Sequence, residues 1–579
     1  MNTVDEQYID GSCSADLNRF RPAAAPKTSS FGPLNGVVSE PTTSITLDQS
    51  TFQASVPSPP SVVPGENQDT DDEGLLESLS QSLYSNDYSI LGSSSWNHPI
   101  VSMDVPTVFA SRNPVSDLEN QEISSWDKNF FILTSAGKPI YSMHGCDEQV
   151  TSLMGIINTV MSYFQLQNSS DIRTISCGKA KLAFLDRSPI FLAAYSDRGE
   201  TSNELINQLD FLHSYLLSSL SQRQLTRFFS RRENFDLRNF MEATDFENLD
   251  EICSLICERL YPDVLLGALQ CLSLKKTHRA QIHEAMLQCL LKESDLPRGT
   301  LLYGLIVAPD NKLGSVLRPR GHTLHTTDLN LLFCLIYHHF RNLQDQQEMW
   351  VPICFPKFNS SGFLYCYIKL LPDSTKACAE ASAGKRPVLV LISAQKDAFF
   401  PLKTLGGNLI KNLLANSLID HIYRAKDIKI SDIPAPLVHH FIYKSKKHVQ
   451  YIMPELQFVL QAGNERQTQE YEKKIITYYQ LIHNSVFRDD GSAHSKSTLN
   501  FVQWEEAEAV GERSTDQAVF QREKISMMGL AWTTRKFELY LICNNGTSDK
   551  NIVLKSAKRI IKWCARHEQR LFVSDGAVF

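Results

Sequence analysis

Apolar and polar residues along positions 128–142 follow a pattern that predicts a β-hairpin. Apolar side chains dominate 130–134, residues 136–138 supply a turn, and 139–142 form the returning strand. Gly137 fits the turn because a tight hairpin needs a residue that tolerates a positive φ. From 147 to 165 the apolar residues recur every three or four positions, which predicts a helix with a wide apolar face.

The same order of elements occurs three times along the chain. Three short strands, at 172–177, 181–186 and 189–195, and a leucine-rich helix at 203–220 follow the first helix. Similar ββαβββα orders begin near residues 301 and 439, although the residues themselves are not repeated. This repetition predicts an α/β (α+β) protein of three sandwiches, each a mixed five-stranded sheet with flanking helices. We place the domains at 123–255, 297–425 and 426–579, with a helical linker at 256–296.

Residues 1–122 lack this periodicity, and we predict that they form a disordered, acidic tail rich in proline and serine. Residues 1–120 hold 11 of the 25 prolines, and 16 Asp and Glu stand against 4 Lys and Arg. The total charge of −7 therefore leaves +5 on the rest of the chain. The tail is then either a segment that folds back onto a mildly basic body or a solvated spacer. The acidic stretch 69–79 is either a short helix that folds on a partner or solvated linker. Ser78, Ser80 and Ser82 near it are candidate phosphate acceptors.

The chain shows no motif of a covalent or metal-dependent enzyme. No GxGxxG follows a strand, and GxxxxGK[ST], HExxH and GxSxG are missing. The 13 cysteines are scattered without a CxxC pair, which favours a reduced, cytosolic protein. Within each of the adjacent pairs His338–His339 and His439–His440, the two side chains point in different directions and would seldom bind one metal ion together. We expect no metal site and no cofactor.

The basic cluster "YKSKKH" at 443–448 lies on the turn of the third predicted hairpin. Lys444, Lys446, Lys447 and His448 would project together there toward an anionic or phosphoinositide-rich membrane surface. Each is worth about 1 kcal/mol near such a surface. A solvated turn is the alternative. No apolar run approaches the roughly 18 residues that span a bilayer, so any membrane contact would be peripheral. We expect no nucleic-acid binding, because no domain is strongly basic.

Several segments resemble the SAND family of vacuolar-fusion proteins, which is unrelated to the DNA-binding SAND domain. The resemblance runs with gaps from about residue 126 to the C-terminus. It is carried by "FFILTSAGKPIYSMHGCDEQVTSLMGIINTVM" (130–161), "KLAFLDRSPIFLAAYS" (181–196), "ENFDLRNF" (233–240), "MGLAWTTRKFELYLICNNGT" (528–547) and "RIIKWCARHEQRLFV" (559–573). It implies that each predicted sandwich is a longin domain.

The resemblance further implies obligate pairing with a second tri-longin protein, of the calcium-caffeine-zinc sensitivity family. The pair would be the guanine-nucleotide exchange factor of the late-endosomal Rab GTPase. It would drive early-to-late endosome conversion and fusion with lysosome, vacuole or autophagosome. The chain would then be cytoplasmic and recruited peripherally to endosome, late endosome, lysosome or vacuole membranes. Exchange needs no covalent step, because binding stabilises a switch conformation that releases the nucleotide.

In such a complex the first domains of the two partners would pair through their sheets and present a joint surface to the GTPase. The first hairpin and the helix at 147–165 would form the share of this chain. The expected contacts are Phe130, Ile132, Thr134, Lys138, Tyr141, Met154, Ile157 and Met161. Core packing is the alternative role for any one of them.

Two other classes of function stay open on the sequence. A non-enzymatic longin adaptor or tethering subunit would bind a Rab GTPase without speeding nucleotide release. A small-molecule enzyme would need a deep pocket with convergent polar groups. A fold does not decide between exchange factor and adaptor, so exchange follows from the resemblance alone.

Overall fold

The computed structural model describes most of the chain from residue 127 onward and one short segment before it. All described residues belong to one compact unit, His98–Phe579. The described ranges are 100–102, 127–145, 147–168, 172–178, 180–231, 235–258, 261–292, 296–297, 299–339, 347–372, 386–455, 465–487, 497–507, 524–544, 546–547, 549–574 and 576–578. The predicted acidic tail, with Ser78, Ser80 and Ser82, lies outside them except for a strand at Ile100–Ser102, β1.

The first domain is an antiparallel five-stranded sheet between helices. Its strand order is β3-β2-β6-β5-β4, and every neighbouring pair is antiparallel. Its elements are β2 (Lys128–Thr134), β3 (Pro139–Ser142), α1 (Asp147–Asn168), β4 (Thr174–Cys177), β5 (Ala180–Arg187), β6 (Ile190–Ser196), α2 (Ser202–Ser219), α3 (Gln222–Arg231), a 3₁₀ turn (Leu237–Phe240) and α4 (Ala243–Cys257).

The alternation of side chains along β2 divides the core of this domain in two. Phe131 and Leu133 pack with α1 on one face of the sheet. Phe130 and Ile132 point to the other face and pack with α2 and α4. The predicted turn glycine, Gly137, has a φ of +79°, and a Cβ there would lie 2.7 Å from the Asn158 side chain on α1. The turn of the hairpin therefore packs directly against α1, and each element restricts the position of the other.

A linker and the second domain follow. The strands of the second sheet have the order β10-β11-β12-β8-β9, which repeats the order of the first sheet. The elements are α5 (Tyr261–Leu266), β7 (Leu269–Gln270) and α6 (Lys276–Lys292) in the linker, then β8 (Tyr303–Ala308), β9 (Lys312–Arg318), α7 (Thr326–Cys334) with a π-helical end (Leu335–His339), β10 (Glu348–Phe355), α8 (Pro356–Asn359), β11 (Ser360–Leu370), β12 (Val388–Ser393), α9 (Phe399–Ala415), α10 (Leu418–Tyr423) and a 3₁₀ turn (Ile430–Asp432).

The third domain repeats the order again, as β15-β16-β17-β13-β14. In its strand β15, apolar Leu499 and Phe501 alternate with Asn500. The elements are β13 (Val438–Ser445), β14 (Gln450–Ile452), α11 (Glu465–Asn484), β15 (Thr498–Ala507), β16 (Lys524–Thr533), β17 (Phe537–Cys543), α12 (Lys550–Arg566), α13 (Glu568–Leu571) and a final strand, β18 (Ala577–Val578).

Three short strands from outside the repeats extend the second and third sheets. β18 pairs in parallel with β9, β7 pairs in parallel with β14, and β1 pairs in parallel with β15. The repeated five-stranded cores are antiparallel, so the added strands make these two sheets mixed. Cys271, which follows β7, also bridges to Leu313 of β9. The linker and the C-terminus thus join the second and third domains.

A buried arginine holds this junction. The guanidinium of Arg279 on α6 donates to the carbonyl oxygens of Gly314 at 2.6 Å, Leu272 at 2.7 Å and Arg570 at 3.2 Å. These acceptors belong to β9, the linker and α13. Because a buried charge must be hydrogen-bonded, Arg279 fixes the three segments relative to one another.

The first domain packs on both of the others. Leu331 and Cys334 of α7 share a hydrophobic cluster with α2, so the first and second domains have a common core. The third domain touches the first through α11, where the side chain of Gln480 donates to the carbonyl of Arg198 at 3.3 Å. This packing leaves α1 on the opposite side of the first sheet.

Candidate interaction surface

The outward face of α1 is the largest group of exposed apolar side chains in the first domain. Ile156, Tyr163 and Leu166 are 59 %, 54 % and 87 % exposed. At helical spacing these three positions lie within roughly 80° of arc, so they form one stripe. The opposite side of the same helix buries Met154 and Met161 against the sheet. Thus α1 is apolar on two faces, of which its own domain covers one.

The strand β4 is an edge strand of the sheet in the same domain, and its outer edge is open. It pairs with β5, and within the described ranges no strand pairs with its other side. Ile175 and Cys177 on it are exposed. Unpaired backbone N–H and C=O groups at a sheet edge are a template for a strand of another chain. The outward face of α1 and the β4 edge form what we term the domain-1 surface.

Most of the side chains predicted to touch a partner are core residues. The structure divides them between the two faces of the sheet. Phe130, Ile132 and Tyr141 pack with α2 and α4 on one face, and Met154, Ile157 and Met161 lie on α1 and pack against the other face. Thr134 is also buried. From these positions they stabilise the domain, and a partner on the surface would touch their exposed neighbours instead. The pattern could not separate the two because α1 is apolar on both faces.

Three of the candidates are polar: Thr134, Tyr141 and the half-buried Lys138. The hydroxyl groups of Thr134 and Tyr141 hold the hairpin. The Thr134 hydroxyl accepts a hydrogen bond from the backbone N–H of Lys138 at 3.0 Å, which closes the turn. The Tyr141 hydroxyl donates to Asp250 on α4 at 2.6 Å. Burial, together with this carboxylate and Cys253, raises the pKa of Tyr141, so the phenol stays protonated. Both groups therefore fix the edge of the sheet.

The second domain meets the first at a cleft of about 290 Å³. Arg187, Asp210 and His213 line it from the first domain and Lys357 from the second. Asp210 pairs with Arg187 at 3.1 Å and also with Lys357, so its carboxylate clamps the two domains together. Burial, with nearby Arg187, lowers the pKa of His213 to about 4, and the imidazole is neutral at pH 7. The charged side chains of the cleft thus pair with one another and hold the first and second domains together.

No cluster of three or more His, Cys, Asp or Glu side chains in the described part of the chain is arranged to hold a metal ion. The same part contains no helix that is both long and apolar enough to cross a bilayer.

Three family models match the chain, one for each sheet. Residues 128–252 match the first Longin domain of FUZ, MON1 and HPS1, residues 299–411 match the second, and residues 437–568 match the third. The strands β1, β7 and β18, which extend the second and third sheets, lie outside the matched ranges. The predicted fold of three longin-type sandwiches is therefore confirmed.

Relatives in yeasts match most of the chain. The chain is 56 % identical to the vacuolar fusion protein MON1 of Saccharomyces cerevisiae, over 86 % of this chain and 80 % of that protein. The chain belongs to the MON1 family. It is also 44 % identical to the Candida glabrata protein of that name, over 87 % of this chain and 83 % of that one. The Yarrowia lipolytica protein is 36 % identical, over 81 % and 78 %. These similarities confirm the family resemblance on which the sequence expectations rest.

Two of the lysines expected to contact a membrane are instead bonded to other groups of this MON1-family chain. Lys444 donates to the carbonyl of Leu266 at 2.7 Å and lies 3.3 Å from Glu538, and Lys446 also lies 3.3 Å from Glu538. Burial raises the pKa of Glu538, but the two ammonium groups outweigh it and the net pKa is lowered. Glu538 is therefore ionised and offsets their charge.

The other two members of the hairpin cluster differ from each other. The His448 ring contacts Glu568 at 2.8 Å and stacks on Phe572. Lys447 is exposed and has no ion pair among the described residues. Of the four residues expected to project together, Lys447 alone is both exposed and without an ion pair among the described residues.

A second basic segment of the MON1-family chain, absent from the sequence-based expectations, lies on α3. Arg223, Arg227 and Arg231 are exposed on α3, four residues apart. The spacing of four was the available signal, because it places arginines on one side of a helix.

Proposed function

We propose that the chain is one subunit of a heterodimeric guanine-nucleotide exchange factor for the late-endosomal Rab GTPase. Its partner is a second tri-longin protein, of the calcium-caffeine-zinc sensitivity family. The complex acts in early-to-late endosome conversion and in fusion with lysosome, vacuole or autophagosome. The relatives carry the name vacuolar fusion protein, which supports a role in membrane trafficking.

The observation that carries the proposal is the domain-1 surface. Ile156, Tyr163 and Leu166 form an apolar stripe, and the β4 edge borders the same domain. Exposed apolar patches on folded domains mark interaction sites, and an open edge can accept a strand. In the second and third sheets, by contrast, β18, β7 and β1 cover three of the four edges of the repeated cores. The first domain is thus the one best provided for pairing through its sheet.

The proposed mechanism is conformational. The paired first domains bind a switch region of the GTPase in an arrangement that removes contacts to the phosphates and the magnesium ion, and the nucleotide leaves. The shift in population is limited by the difference in affinity of the complex for the two switch states. The second and third domains scaffold the complex and bring it to the membrane, to which it is recruited peripherally.

Release of a fluorescent nucleotide from the late-endosomal Rab GTPase tests the proposal. We would compare the full chain alone, the chain with its tri-longin partner, and the pair carrying Leu166→Glu. The matched control is Leu291→Glu on α6, where the side chain is 72 % exposed in the linker. We expect fast release by the intact pair and by the control pair, and at least tenfold slower release with Leu166→Glu. The chain alone should not accelerate release.

Two other outcomes would change the conclusion. GTPase binding without faster release would indicate the adaptor or tethering function. Equal rates for Leu166→Glu and Leu291→Glu would show that the outward face of α1 does not take part.

A further inference from the structure

We propose that the exposed side of α3 is a membrane-contacting surface, on which Arg223, Arg227 and Arg231 bind the phosphates of an anionic lipid layer. The inference rests on the proposed function insofar as that function brings the chain to a membrane. In this proposal α3 takes the place of the hairpin at 443–448 as the main basic contact with the lipid surface.

The spacing of the three arginines places them on one stripe. Residues four apart on a helix differ by about 40° in direction and about 6 Å along the axis. The three side chains therefore lie within roughly 80° of arc and along about 12 Å of helix. No acidic residue occurs in the α3 sequence, "QRQLTRFFSR".

The packing of α3 turns this stripe toward solvent. Leu225 and Phe229 are 1 % and 7 % exposed, and Leu225 belongs to the core between the sheet and α2. Their direction is about 180° from the middle of the arginine stripe. Burying these two side chains therefore fixes which side of the helix is exposed.

The described neighbours of the stripe do not neutralise its charge. Within the described ranges Arg223, Arg227 and Arg231 form no ion pair, and each is exposed. The hairpin lysines differ, because Glu538 binds both Lys444 and Lys446. Three free cations on one side of a helix attract a surface of opposite charge, and guanidinium groups bind phosphate oxygens in bidentate geometry.

Aromatic side chains flank the stripe at its C-terminal end. Phe228 stacks on Phe235 with ring centroids 5.1 Å apart and contacts Phe240 at 5.0 Å. Phe240 is exposed. Aromatic rings beside basic residues are typical of surfaces that lie at a lipid interface. This feature favours a lipid surface over a solvated acidic peptide.

The position of α3 is compatible with partner binding at the domain-1 surface. Leu225 of α3 packs into the cluster on the α2 side of the first sheet, whereas α1 covers the other side. A membrane on α3 and a protein on α1 would thus approach opposite faces of one sheet. The first domain could contact both at the same time.

Flotation of the full chain, alone and with its partner, on vesicles tests the inference. The vesicles contain neutral lipid only or neutral lipid with anionic phospholipid. The test variant is Arg223→Gln/Arg227→Gln/Arg231→Gln, and the charge-preserving variant has lysine at the same three positions. The matched control removes three exposed cations outside the first domain, as Arg320→Gln/Lys411→Gln/Lys426→Gln. Thermal unfolding of each variant checks that the fold is retained.

Each basic residue near an anionic surface contributes about fivefold to binding. We therefore expect roughly hundredfold weaker binding to anionic vesicles for the glutamine variant, and little change for the lysine variant and the control. Binding of the unmodified chain should weaken at high salt. Equal losses for the test and control variants, or no binding of the unmodified chain to anionic vesicles, would overturn the inference. An acidic protein segment would then be the better candidate for α3.

Nucleotide release in solution, without vesicles, separates this inference from the proposed function. The glutamine variant should release nucleotide at the unmodified rate, because no lipid is present. Loss of vesicle binding with normal exchange supports the surface on α3. Normal vesicle binding with no exchange by any form would contradict the proposed function alone.

Discussion

The ammonium group of Lys128 lies 2.6 Å from Oε1 of Glu200, and both side chains are almost fully buried. Lys128 also donates to Oε1 of Gln208 at 2.6 Å, and Ser196 donates to the other carboxylate oxygen of Glu200. Burial raises the pKa of Glu200, but Lys128 and Arg198 outweigh it and the net pKa is lowered. The network joins the start of β2 to the segment that leads into α2. It therefore holds the first strand of the hairpin against the start of α2.

Removing the cation should destabilise this domain. Lys128→Met leaves the Glu200 carboxylate buried without its partner, and we expect a loss of about 3–5 kcal/mol in the free energy of unfolding. The double variant Lys128→Met/Glu200→Gln should recover part of that loss, because no unpaired charge remains. Urea titration followed by circular dichroism measures both. A loss below about 1 kcal/mol for the single variant would mean that the pair contributes little.

A second prediction concerns Asp263 in the linker helix α5. Burial raises the pKa of Asp263 to about 7 against an ordinary value of 3.8, and contact with Tyr451 offsets only part of this rise. The folded chain therefore binds a proton more tightly than the unfolded chain, so stability falls as pH rises from about 4 to 7. Between pH 6 and pH 8 the difference is about 1 kcal/mol.

Asp263→Asn should remove this dependence and stabilise the chain at pH 8. The measurement is the midpoint of thermal unfolding at pH 6 and pH 8 for the unmodified chain, Asp263→Asn and Asp310→Asn. Asp310 is the control because its side chain is 72 % exposed. Equal pH dependence in all three proteins would contradict a raised pKa at Asp263.

The hydrophobic pattern predicts most of the fold because long elements carry a clear period. The strands of Phe131 and Leu192 and the helix of Ile157 are all predicted from the hydrophobic pattern alone. The short strands β1, β7 and β18 have two or three residues each, too few for a period. Their pairing depends on how distant parts of the chain meet.

The candidate site was less accessible to sequence reasoning. Adjacent residues such as Ile156 and Ile157 have the same chemistry, and the position of the sheet alone decides which is buried. The hairpin lysines lie next to Glu538, about ninety residues away in the chain, which neutralises two of them. Neither relationship leaves a local signal in the sequence.

Lys444 and Lys447 should respond differently to the same substitution. Lys444→Met leaves the Leu266 carbonyl without this donor and Glu538 with one cation fewer, so we expect a loss of about 1–3 kcal/mol. Lys447→Met should stay within about 0.5 kcal/mol, because the side chain is exposed and unpaired among the described residues. Urea titration compares the two, and hydrogen exchange of the β13–β14 hairpin locates the effect. Equal losses would show that Lys444 is not held as the structure has it.

The same comparison on α1 separates folding from partner binding. Ile157 is 2 % exposed in the core of the first domain, whereas Ile156 is 59 % exposed on the domain-1 surface. Ile157→Glu buries a carboxylate without a partner and should unfold the domain or cost several kcal/mol. Ile156→Glu should leave the unfolding midpoint nearly unchanged, because its side chain is in water.

Pairing with the second tri-longin protein, measured by analytical ultracentrifugation, should then distinguish the two variants. We expect Ile156→Glu to weaken pairing or GTPase binding at least tenfold while the chain stays folded, because a charge in an apolar interface loses its hydration. Ile156→Ala is the milder companion and should retain most of the binding. If Ile156→Glu is folded, pairs normally and supports full exchange, the outward face of α1 is not the contact. The β4 edge would then have to account for pairing by itself.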